Sequence, residues 1–320
     1  MPEPLLYAKA MGVAAITSSV FVFVIIALRK SVSTAGLNAV CVFGLRLGLV
    51  TGYAWLGISR SWPPTSGLDR LLMIVVPMTL CVELIAGARL LPTAVSWLLR
   101  FGVAITVPPI LLQNSVYLSS TDDWTSWQAI TVLVIALAMV WGTLSYITHR
   151  SGGISIAFAI CLAIQCAGAT VMMAGYINGG AAAIPLAATL FGVSVAPCLS
   201  PRYMRRDHEV RLPNGFLASA IIGIGVVGLF GLLFVGRFFG EISTMPALTI
   251  LIAPLLCCVS EAPKIRDRKP WIVASLSLIL VAIPLMVVLI AANREFDREM
   301  LPLLGHEFVK PEGNQSNERS

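Results

Sequence analysis

Apolar stretches long enough to cross a membrane recur from one end of the chain to the other, and they restrict the fold more than any other feature. Residues 75–112 (VVPMTLCVELIAGARLLPTAVSWLLRFGVAITVPPILL) show the pattern, with two apolar runs joined by a short turn. A hydrocarbon core about 30 Å thick needs about 20 such residues per helix. Lipid offers the backbone no hydrogen-bond partner, so runs of this kind fold as helices that satisfy their own N–H and C=O groups. The chain reads as ten spans, roughly 10–28, 37–58, 71–88, 93–112, 127–147, 154–176, 181–199, 216–236, 244–260 and 271–292. The expected fold is all-α, a polytopic integral membrane bundle over residues 1–292 with an extramembrane stub and tail at 293–320.

Composition agrees. Charged residues make up 12% of the chain and mean hydropathy is +0.87, whereas a soluble domain carries about 25% charged residues. No interval between spans is long enough for a soluble domain of about 50 residues. The net charge of +6 does not point to nucleic acid, because the basic residues sit in short intervals between spans. There they act as topology determinants and meet anionic lipid headgroups. The expected partners are therefore membrane lipids and a small anionic solute.

Twelve Lys and Arg residues fall on one side of the spans and eight on the other, with Arg46 and Arg100 inside them. The positive-inside rule then places 200–213 and 261–270 in the cytoplasm and both termini outside. The expected location is a bacterial inner (plasma) membrane. Trp62, Trp124, Trp127, Trp141 and Trp271 lie near span ends, where aromatic rings anchor at the interface. All seven cysteines fall in apolar segments, unlike a disulfide framework. The pair Cys257-Cys258 lacks the ligand spacing and histidines of a zinc site. No metal and no cofactor are expected.

Two segments hint at duplication. Pro77, Glu83, Pro92 and Pro108 recur in order as Pro254, Glu261, Pro270 and Pro284. GLRLGLVTGYAW (44–55) resembles GLFGLLFVGRFF (228–239), matching Gly44 with Gly228 and Gly52 with Gly236. These suggest a parallel repeat of spans 1–4 and 7–10, an arrangement found in transporters. Gly44, Gly48 and Gly52 also form a small-residue stripe suited to close helix packing.

The chemistry rests on Arg46, Glu83, Arg89 and Arg100. An ionisable group at helix centre costs about 2.5–3.5 kcal/mol on insertion scales, so it normally faces a partner or a wet cavity. Glu83 and Arg100 lie at similar depth, about 9 Å from the turn joining their helices. They can pair across that hairpin as a structural bridge or line a polar cavity open to the cytoplasm. Arg46, nearer mid-membrane, leaves a positive surplus that suits an anionic ligand. Enzyme signatures are missing: His208-Glu209 and His306-Glu307 lack a second histidine, and no nucleotide-binding loop exists. The expectation is no enzyme, but a secondary transporter or flippase for a small anionic or lipid-linked solute. The alternative is a non-catalytic scaffold or subunit of a membrane complex.

Overall fold

The computed structural model of the 320-residue chain describes residues 4–28, 33–58, 62–88, 91–113, 124–151, 154–199, 219–261 and 270–305. Every regular element among them is a helix. In chain order they are α1 (Pro4–Leu28), α2 (Thr34–Leu56), α3 (Gly67–Gly87), α4 (Thr93–Leu112), α5 (Trp124–Ser151), α6 (Ile154–Met173), α7 (Ile177–Val195), α8 (Ser219–Phe238), α9 (Thr244–Ile252) and α10 (Pro270–Gly305). Nine of them are long and apolar enough to cross a membrane. The protein is a polytopic helical membrane bundle.

Helix boundaries follow local chemistry. Ser33 caps α2 by accepting the Gly36 N–H at 3.1 Å, and Gly57 closes that helix in the left-handed conformation at φ 63°. Ser66 and Asp69 form a reciprocal capping box that starts α3 one turn before residue 71. Within α3, Leu71–Val75 adopt a π-helical turn, and Pro77 lies two residues beyond it. Proline brings no N–H to the helical ladder, so a carbonyl on the preceding turn has no helical donor.

The ninth expected span takes a different form. α9 has nine residues and then tightens into a 3₁₀ helix over Ala253–Glu261, which contains Pro254. At rises of 1.5 and 2.0 Å per residue the two parts extend about 31 Å, close to the thickness of a hydrocarbon core. Stretching compensates for a short sequence. α10 departs the other way, running 36 residues through Arg294, Glu295, Asp297 and Arg298. Its last part continues as helix beyond the expected span end at residue 292.

α8 is the centre of the bundle and packs against α2 through α7 and α9. Its most apolar window is 94% buried, against 22% in α1 and in α10, which present their flanks to lipid. α1, α2 and α7 form a tight trio along the small-residue stripe. A Cβ at Gly48 would lie 2.7 Å from the Thr189 side chain and 2.9 Å from the Ala14 carbonyl oxygen, so only glycine permits this approach. Gly44 faces Val22 and Gly52 faces Pro185 in the same seam, while Gly228 packs on Leu186 and Gly236 on Ile242 and Val171. The helices matched by the suggested repeat occupy unlike surroundings, since α2 is half buried and α8 almost wholly so.

Trp141 corrects one expectation. It is 2% exposed in the core of the bundle and anchors no interface, whereas Trp62, Trp127 and Trp271 are exposed. All seven cysteine thiols are free.

Candidate functional site

Two charged sites emerge among the described residues, and they differ in kind. In the first, Glu83 of α3 and Arg100 of α4 meet across the hairpin. Arg100 Nε donates to Glu83 Oε1 at 2.8 Å and Nη2 donates to Oε2 at 2.9 Å. This fork-to-fork geometry is the strongest form of side-chain pairing. The Ser219 hydroxyl donates to Glu83 Oε2 at 2.7 Å and also accepts from Arg100 Nη2. Ser219 is the first described residue of α8.

The surroundings close this group off. Glu83 is fully buried and Arg100 is 8% exposed. The Trp97 ring covers the guanidinium at 5.2 Å, within cation–π range. A Cβ at Gly223 would come within 2.5 Å of Glu83 Oε1, so the carboxylate occupies the room that this glycine leaves. Asn38 Nδ2 donates to the Glu83 carbonyl at 2.9 Å, which ties α2 into the same knot. Four helices thus converge on one neutralised ion pair. Such a group joins helices, and its two charges are matched to each other.

Arg46 stands elsewhere. It sits near the middle of α2, about 18 Å from one end and 15 Å from the other at 1.5 Å per residue. Its side chain is exposed on the flank of the bundle beside Phe43, Leu47 and Val50, all themselves exposed. Among the described residues no carboxylate pairs with it and no acceptor bonds it. It lines a cleft of about 450 Å³ between α2 and α3. Trp62 marks one end of that cleft, Leu80 and Cys81 lie on its α3 wall, and the π-helical turn supplies Leu72 and Met73. Arg46 is the one charged residue along it, and no member of the Glu83–Arg100 group reaches it.

The structure therefore joins Glu83 with Arg100 and keeps Arg46 apart. Arg89 and the basic stretches 200–213 and 262–269 lie outside the described residues. Several partners were not visible beforehand. Ser219 and Asn38 are ordinary polar residues until the fold places them at Glu83. Arg70, counted among the loop cations, is 4% exposed; it donates to the Thr65 carbonyl at 3.1 Å and to the Leu111 and Gln113 carbonyls closing α4. The capping-box pattern Ser66-Gly-Leu-Asp69 was the signal that Arg70 belongs inside a helix.

The chain matches no protein-family model, no curated protein and no solved structure.

Proposed function

We propose that the protein is a carrier, a secondary transporter or flippase that moves a small anionic or lipid-linked solute across a bacterial inner (plasma) membrane. The observation that carries this reading is Arg46, a mid-helix cation beside an open cleft with no ion-pair partner among the described residues. A charge held there costs about 2.5–3.5 kcal/mol, and groups retained at such cost commonly mark a substrate path. A π-helical turn forms part of the same wall, and turns of this type recur at functional sites. Energy would come from a solute gradient, since the sequence has no nucleotide-binding loop.

One observation favours a second reading. The Glu83–Arg100–Ser219 group is sealed, as in a bundle held together for structural reasons. A membrane scaffold or subunit would need nothing more.

Reconstitution separates the two. Purified protein in vesicles is expected to speed the movement of either a fluorescent anionic phospholipid between leaflets or a small organic anion into the lumen, relative to protein-free vesicles. Movement of neither would leave the scaffold reading standing.

A further inference from the structure

We infer that the cleft between α2 and α3 is a lateral binding site for an anionic amphiphile, a lipid whose phosphate or carboxylate meets Arg46 while its hydrocarbon stays against the bilayer. The inference rests on the carrier reading and narrows it, choosing a lipid over a water-soluble anion.

Three observations point the same way. First, the cation lacks an anion: Arg46 has neither ion pair nor hydrogen bond among the described residues, and it lies about 15 Å from the nearer end of α2 at 1.5 Å per residue. Second, the approach to it is apolar. Phe43, Leu47 and Val50 flank it on the outer face of α2, so a soluble anion would have to cross hydrocarbon to arrive. A lipid is already there. Third, the cleft has the size and lining for such a ligand. Its 450 Å³ falls within the range of about 300–1,000 Å³ in which small molecules are bound. Val76, Leu80 and Met73 suit a hydrocarbon chain, and exposed Trp62 supplies an amphipathic ring at the mouth.

A second copy of this chain fits less well. Glu83 is consumed by Arg100, and Asp69 by the Ser66 cap. Among the described residues the exposed carboxylates are Glu241, in the turn after α8, and Glu295 and Asp297, in the part of α10 beyond residue 292.

Native mass spectrometry of the purified full chain provides the test. The probes are phosphatidylglycerol, phosphatidylcholine with the same acyl chains, and glycerol 3-phosphate as the soluble headgroup. Wild type is expected to retain phosphatidylglycerol over phosphatidylcholine by about tenfold, the scale of one charge-assisted hydrogen bond. Arg46→Gln should abolish that preference and Arg46→Lys should restore part of it, while Arg237→Gln, at the end of α8, should leave it intact. Equal retention of the two lipids by wild type would overturn the inference. So would a preference that survives in Arg46→Gln, which indicates a nonspecific lipid annulus, or displacement of the lipid by glycerol 3-phosphate at equal concentration. Arg46-dependent binding in a protein whose vesicles move neither lipid nor a small organic anion would refute the carrier reading and leave the site standing. Lipid movement without Arg46-dependent binding would do the reverse.

Discussion

Glu83 could not sit fully buried without Arg100, and the converse holds for the guanidinium. Each is buried in the bundle, where the other neutralises its charge. Removing one partner of such a pair strands a charge and costs about 3–5 kcal/mol, whereas replacing both by apolar groups is often nearly neutral. Glu83→Gln and Arg100→Leu are each expected to lower thermal stability in detergent more than the double variant does. Additive losses would show that the two do not interact. This pair was legible in the sequence, because opposite charges at equal depth on neighbouring helices have few other options. Its third member was not. Ser219 lies 136 residues from Glu83, and nothing about an isolated serine announces a carboxylate partner. Arg70 was legible in part, through the capping box beside it.

At the scale of helices, run length spoke plainly and facing did not. Lipid and protein core are both apolar, so a membrane helix needs no polar face to mark its outside. α1 and α8 illustrate this. Both are predominantly apolar, yet one lies at the rim and the other at the centre. Glycines distinguish them better, since α8 carries Gly223, Gly225, Gly228, Gly231 and Gly236 where neighbours crowd in. For the same reason the direction of Arg46 could not be read from α2 alone. α9 was counted as an ordinary span because its composition says nothing of the 3₁₀ stretch that gives it length. Whether that element crosses decides the topology. If it does, as the account holds, reporter fusions at Asp207 and at the C-terminus will give opposite signals. Matching signals would mean that it turns back or that another span was misassigned.

The fold gives Arg46 and Arg100 different surroundings. Arg100 is neutralised at a junction of helices and holds the bundle; Arg46 stands open on the flank, where an anion can reach it from the bilayer. Neither role can be read from residue type, since both are arginines set in apolar sequence. The difference lies in what the fold brings to each. The most direct measurement is therefore a comparison of lipid movement in reconstituted vesicles containing Arg46→Gln or the double variant Glu83→Gln/Arg100→Leu. The account predicts that Arg46→Gln loses about tenfold in rate, as removal of a charge-assisted hydrogen bond of about 1.5 kcal/mol would produce, while the double variant keeps the wild-type rate. A double variant that moves no lipid beside a fully active Arg46→Gln would contradict it.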